Sequence, residues 1–324
     1  MEINWGIIGA GYIAGQFVKD YAHVKDGQIK AIASRSGEKA ESFADEYGIE
    51  KAYEGYENLF KDEDIHAVYI ATPHNLHYEN TLSAIKNKKA VLCEKPAAVN
   101  AQQLKEMIEV AKKENVLFME AMWTYLLPPV AQAKQWIQSG EIGDVKLIQA
   151  DFGVHMDFPP EHRINNPELA GGGLLDLGIY PVSLANLVIE EEIKDIQVMA
   201  QFTETQVDET TVMHLNYNNG AIAQLISSTK NPTAHEANIY GTRGRIYLPY
   251  FWKARKAKLI TPQKEIIYED TRDALGYNYE IEEMNELIKK DAKESNTVTY
   301  ASSLRNLVTL DRIREKIKLK YPFE

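Results

Sequence analysis

Short apolar runs alternate with longer charged stretches over the first third of the chain. The runs are Trp5 to Ile8, Ile29 to Ala33, Ala67 to Ala71, Ala90 to Cys93 and Leu117 to Met119. Brief apolar runs of this kind are the mark of strands covered on both faces of a parallel sheet. Between them, Glu38 to Tyr47, Asn80 to Lys88 and Ala101 to Glu114 carry helical spacing. Strands that alternate with helices imply βαβ units, so residues 1–123 are expected to form a doubly wound parallel α/β domain.

The pattern changes after Leu126-Leu127-Pro128-Pro129. Val130 to Gln138 reads as a helix that Gly140 stops. Further on, Ile196, Val198, Ala200 and Phe202 alternate with more polar positions, and Met213, Leu215 and Tyr217 do the same. Asn219-Gly220 predicts a hairpin with a type I′ turn, which needs positive φ at both central residues. Gly241-Thr242-Arg243-Gly244 predicts another turn, and helices are expected over 277–291 and 304–318. Strict alternation means one sheet face is buried and the other is free or covered by a partner. Residues 124–324 are therefore expected to form an α+β domain with an open, mostly antiparallel sheet, which binds substrate and dimerises.

Composition narrows the partners. A length of 324 residues exceeds the roughly 250–300 at which one core stops growing, which agrees with two domains. Thirty-six basic against 47 acidic residues give a net charge of −11, which disfavours nucleic acid and anionic membranes. A single cysteine, Cys93, makes no internal disulfide and no cysteine-rich zinc site. Neither it nor the histidines His155, His162, His214 and His235 show metal-ligand spacing, so no metal is expected. The start of the chain has no basic leader, and no apolar stretch approaches the roughly 18–20 residues that span a bilayer. The expectation is a cytoplasmic protein that handles small molecules.

The chemistry begins at Gly9-Ala10-Gly11-Tyr12-Ile13-Ala14, between the first strand and the first helix. Gly9 permits the tight turn, Gly11 lets the backbone approach a pyrophosphate, and Ala14 allows close helix–sheet packing. The amides of the helix N-terminus then face the phosphates. This is the dinucleotide turn of a Rossmann domain. At the end of the second strand NAD binders carry a carboxylate for the ribose hydroxyl. Here stand Ser34-Arg35-Ser36, with Lys39 one turn on. A guanidinium binds a 2′-phosphate that a carboxylate would repel, so NADP is expected in preference to NAD.

Cys93-Glu94-Lys95-Pro96 follows the fifth strand, at the sheet edge where such folds bind ligands. Together with Ala71-Thr72-Pro73-His74-Asn75-Leu76-His77 and the segment Gly171 to Tyr180, it resembles the Gfo/Idh/MocA oxidoreductases along the whole chain. Met119-Glu120-Ala121-Met122-Trp123 looks like the branch of dimeric dihydrodiol dehydrogenases and NADP-dependent D-xylose dehydrogenases. The resemblance implies a catalytic Lys95 and a cis Lys95–Pro96 peptide. It also implies Thr72, Pro73, His74 and His77 along the nicotinamide side of the cofactor, beside Glu94, and a homodimer built on the open sheet.

Asp176 and Tyr180 lie four apart on an expected helix, so they face the same way. A phenol is a poor base at neutral pH unless a cation lowers its pKa, and Lys95 is the expected cation. The reading is then a hydride transfer. Tyr180 exchanges a proton with the substrate oxygen, Lys95 polarises it and Asp176 holds or orients the pair. Many family members carry histidine at the position of Tyr180; the tyrosine points away from inositol dehydrogenase. The expected substrate is a sugar, polyol or cyclic diol. The rival readings are redox-assisted glycoside hydrolysis and a non-catalytic cofactor sensor on the same fold. Trp123, Phe152, Phe158 and Trp252 are candidate walls of the substrate pocket, and Arg163, in a loop before the glycines, is a candidate contact.

Overall fold

A computed structural model describes residues 2–324. The chain divides into two compact units. One holds Met1–Trp123 together with Asp273–Ser303, the other Thr124–Arg272 with Leu304–Glu324. The continuous second domain expected from the sequence is therefore interrupted, because residues 273–303 return to the first unit.

In the first unit the strands are β1 (Asn4–Ile8), β2 (Gln28–Ser34), β3 (Lys51–Glu54), β4 (Ala67–Ile70), β5 (Ala90–Glu94) and β6 (Phe118–Ala121). They form a parallel sheet in the order β3-β2-β1-β4-β5-β6. Helices α1 (Tyr12–Tyr21), α2 (Gly37–Tyr47), α3 (Glu57–Lys61), α4 (His77–Lys86) and α5 (Ala101–Glu114) make the crossovers. Every residue of β4 and β5 is buried, which is why those strands are continuous apolar runs. Strand order reverses between β1 and β4, so the loops after β1, β4 and β5 share the edge where such sheets take their ligands.

The returning segment has a physical anchor. Asp20, buried near the end of α1, accepts the amides of Leu275, Gly276 and Tyr277 at 2.8, 2.8 and 2.9 Å. These are orphan donors at the start of the helix Tyr277–Lys289, which has no side-chain cap of its own. Asn285 on that helix accepts the indole N–H of Trp5 at 2.9 Å.

The second unit holds β7 (Val145–Gly153), β8 (Ile193–Phe202), β9 (Asp208–Tyr217), β10 (Ile222–Ser228), β11 (Glu236–Gly241), β12 (Arg245–Pro249), β13 (Lys256–Ile260) and β14 (Glu265–Glu269). Their order is β14-β13-β12-β11-β7-β10-β9-β8, antiparallel except for the β7–β10 pair. Ile148, Ala150 and Phe152 on β7 and Met213, Leu215 and Tyr217 on β9 are buried on one face. The β9–β10 turn corrects the type I′ expectation. Only Gly220 takes positive φ there, at +80°, and the Ala221 amide donates to the Asn219 side chain at 3.0 Å. Tyr217 N–H pairs with Ala221 O and Gly220 N–H with Tyr217 O, a three-residue loop in which the glycine alone supplies the left-handed step.

Candidate active site

In the first unit, Gly9 ends β1 at φ +100°, and a Cβ there would lie 2.7 Å from the Ala71 carbonyl oxygen. Only glycine lets these two strand ends come so close. Gly11 is the N-cap residue of α1. No side chain caps that helix, its first turn carries no acid, and the space above Gly11 is open. The first amides of α1 are thus left to an anionic ligand. Ala14 is buried against the sheet, Ile13 is half-buried and Tyr12 is 78% exposed. This cradle fits a pyrophosphate. At the end of β2 the Ser34 side chain accepts the Ser36 amide at 3.4 Å, and Ser36 caps α2 by accepting the Lys39 amide. The side chains of Arg35 and Lys39 stand exposed at this corner.

Thr72 and His74, beyond β4, are buried with Pro73 half-buried between them. His77 is fully buried, and its ring nitrogens face the backbone carbonyls of Thr72 at 2.7 Å and Pro96 at 2.8 Å. A neutral imidazole has one N–H and carbonyls only accept, so the ring donates to one of the two and sits between the loop after β4 and the loop after β5. Glu94 closes β5. Its carboxylate accepts the Tyr69 hydroxyl and, at 3.2 Å, the Lys95 amide. Lys95 is half-buried, and the Lys95–Pro96 peptide is cis. The Cys93 thiol is buried, donates to Ala97 O at 3.7 Å and is pushed well up in pKa by that burial, which disfavours the reactive thiolate. Trp123 is buried and stacks on Tyr277 with ring centres 4.6 Å apart.

In the second unit the run Gly171-Gly172-Gly173 leads into a wide π-type turn over Leu174–Gly178, and the helix Ile179–Val188 follows. Asp176 lies in the turn and Tyr180 in the first turn of the helix, in place of the single α-helix expected. The Arg163 guanidinium donates to both carboxylate oxygens of Asp176, at 3.2 and 3.3 Å, while Asp176 itself is buried. The loop charge singled out from sequence thus meets the acid as a forked pair. Tyr180 lies 5.5 Å from the Phe152 ring and 5.9 Å from Trp252, and those two stack at 4.5 Å. Three of the sequence-named aromatics form one cluster. Phe158 stacks on His162 in the preceding loop instead and is 44% exposed.

Two contributors escaped the sequence reading. His235, at φ +59°, reaches Gly153 O through Nε2 at 2.6 Å and sets its ring edge against Phe152. Glu280 is fully buried in the first unit, and neither of its carboxylate oxygens has a hydrogen-bond partner among the described residues. Burial first, then the nearby charges of Glu94 and Asp20, push its pKa well up. A lone acid within a helix carries no sequence signal for this. Among the described residues no group of three or more His, Cys, Asp or Glu side chains is arranged to hold a metal ion. No helix among them is long and apolar enough to cross a membrane.

The doubly wound sheet with its phosphate turn, and a lysine at a neighbouring strand end, define a dinucleotide-binding oxidoreductase. Residues 3–122 match the model of an oxidoreductase family with an NAD-binding Rossmann fold, and residues 130–247 match the Gfo/Idh/MocA C-terminal domain. The chain belongs to the Gfo/Idh/MocA oxidoreductases. It is 35% identical to the trans-1,2-dihydrobenzene-1,2-diol dehydrogenase of Xenopus tropicalis, over 99% of this chain and all of that one. The enzyme of the same name from Mus musculus is 32% identical over 99% of both chains. Among solved structures, an aldose–aldose oxidoreductase from Caulobacter crescentus is similar at 21% identity and TM-score 0.89, over 98% of each chain. A 3-ketoreductase from Actinomadura kijaniata, in complex with NADP and TDP-benzene, is similar at 23% identity and TM-score 0.85, over 97% of this chain and 98% of that one. These two likenesses extend to the fold.

Proposed function

We propose that this oxidoreductase interconverts a secondary alcohol and a carbonyl on a cyclic trans-diol or a sugar, with NADP preferred over NAD. The observation that carries the reading is the juxtaposition, at one edge of the parallel sheet, of the open α1 phosphate cradle after β1 and Lys95 after β5. When bound, the nicotinamide supplies or takes the hydride. Lys95 stabilises negative charge on the substrate oxygen as it develops. Tyr180 gives that oxygen a proton or takes one from it, and Asp176, gripped by Arg163, orients the substrate hydroxyl. The Phe152–Trp252 pair beside Tyr180 offers flat apolar surface that suits the C–H face of a ring. The diol is favoured by the names of relatives that match this chain end to end. For cofactor choice the support is exposed Arg35 at the corner where the 2′-phosphate would fall. A homodimer through the open face of the second sheet completes the proposal.

Turnover of trans-dihydrodiols and aldoses with each cofactor tests it. KM should be lower for NADP. Tyr180→Phe and Lys95→Ala should each lower kcat by about 10²-fold or more while NADPH binding survives. Wild-type turnover in either variant, or net hydrolysis of a glycoside without cofactor consumption, would overturn it.

A further inference from the structure

Asp208 opens β9 and is buried within the second unit. Its Oδ2 accepts the Leu174 amide at 2.7 Å and the Thr211 hydroxyl at 3.1 Å. Its Oδ1 faces Gly172, where a Cβ would lie only 2.3 Å away and where φ is +111°. The carboxylate occupies the space a side chain at position 172 would need, so the glycine and the acid are complementary. The Tyr321 hydroxyl grips the adjoining residue by donating to Gly171 O at 2.7 Å. Leu174 begins the turn that bears Asp176 and runs directly into the helix of Tyr180. One buried carboxylate thus anchors the root of the segment that carries Asp176 and Tyr180.

We propose that Asp208 is the positioning residue for Asp176 and Tyr180: as a carboxylate it holds their turn in register, and its protonation loosens the turn and lowers turnover. This rests on the roles given above to Tyr180 and Asp176. Hydrogen bonds to an ionised acceptor are roughly twice as strong as those between neutral groups, so the hold on Leu174 weakens when the acid is neutral. Burial pushes the Asp208 pKa up to about 6, against the opposing pull of the Leu174 amide, the Thr211 hydroxyl and the Arg314 charge. The groups that face it are therefore Leu174 and Thr211, Arg314 with its own partners Glu324 and Asp311, and the Tyr321 hydroxyl, which burial keeps protonated.

The sign separates positioning from plain stability. A carboxyl with a raised folded pKa keeps its proton after the unfolded chain has lost its own, so between about pH 4 and 6 the fold loses stability as pH rises. Turnover, by contrast, should rise with pH through that upper limit. Asp208→Asn keeps the shape and an acceptor for Leu174 but never ionises.

The experiment is kcat against pH from 5 to 8.5, with melting temperature and NADPH affinity, for wild type, Asp208→Asn, Thr211→Val and Tyr180→Phe. Asp208→Asn should lose about ten- to a hundredfold in kcat at neutral pH, lack the acid limb near pH 6, bind NADPH normally and melt no lower than wild type. Thr211→Val removes a bond that favours the ionised form, so its acid limb should move to higher pH, which keeps the idea testable even if Asp208→Asn fails to fold. Wild-type kcat in Asp208→Asn, or the same acid limb in all three proteins that retain Tyr180, would overturn the proposal. Tyr180→Phe separates the two failures. If it is inactive while Asp208→Asn is unaffected, only the positioning role falls; if it turns over normally, the catalytic reading falls with it.

Discussion

Glu280 is the residue whose surroundings fit a charge least well. Its side chain is fully buried, and the charges that act on it within the first unit, Glu94 and Asp20, are acids. An ionised carboxylate there would pay desolvation without a compensating partner, so the neutral form prevails in the fold. In the unfolded chain the same group ionises near its ordinary 4.5. The fold therefore holds a proton that the unfolded chain releases, and stability contributed by Glu280 is complete below that value and drains away as pH rises above it. For one proton the slope is about 1.4 kcal/mol per pH unit until the folded pKa is reached. Glu280→Gln removes the slope. Its melting temperature should match wild type near pH 5 and exceed it as pH rises above that, and parallel pH–melting curves for the two proteins would refute the protonated assignment. Lys95, Asp176 and Tyr180 stood out in the sequence as candidates because they sit in ordered motifs. Glu280 did not, since acids are common in helices and nothing in the spelling says which one faces inward.

The elements themselves were legible where burial is uniform. Strands β4 and β5 are buried at every position, and an apolar run without alternation can satisfy only that environment. The helix Tyr277–Lys289 was visible as a helix, but its membership was not. Amphipathic spacing says that one face is covered and is silent about which sheet covers it. What decides the matter is Asp20, over 250 residues earlier, whose carboxylate collects three amides of the helix start. The π-type turn at Leu174–Gly178 escaped for a related reason: its first amide is held by Asp208, a contact 34 residues away in sequence that no local spacing reveals. Loss of the Asp20 carboxylate strands buried donors, at a cost of about 1–3 kcal/mol. Asp20→Ala should lower the melting temperature by several degrees, and hydrogen exchange should show early loss of protection over residues 275–289. Unchanged protection there would mean that packing around Trp5 and Asn285 alone holds the segment.

For the molecule as a whole, the proposed homodimer rests on the open face of the second sheet. Cross-strand register arranges that face in rows. Met199, Val212 and Ile226 form an apolar row, Ile222 and Leu147 sit in another, and a polar row of Gln197, His214, Gln224 and Gln149 runs between them. Met199 is 74% exposed and Ile222 is 42% exposed. A second copy laid on this face would bury both apolar rows and let the glutamines bond across; Gln149 already donates to Gln224 at 2.8 Å. Each chain carries a net −11, so two copies repel at long range and the attraction must come from apolar burial. Salt screens the repulsion and leaves burial intact. Sedimentation should therefore give about twice the 36.7 kDa chain mass, with a dimer that tightens as salt increases. Met199→Glu places a charge at the edge-strand end of the apolar row and should shift the equilibrium to monomer while NADPH binding to the first unit persists. A monomer in wild type at micromolar concentration, or a dimer that dissolves in salt, would show that this face meets something other than its own copy.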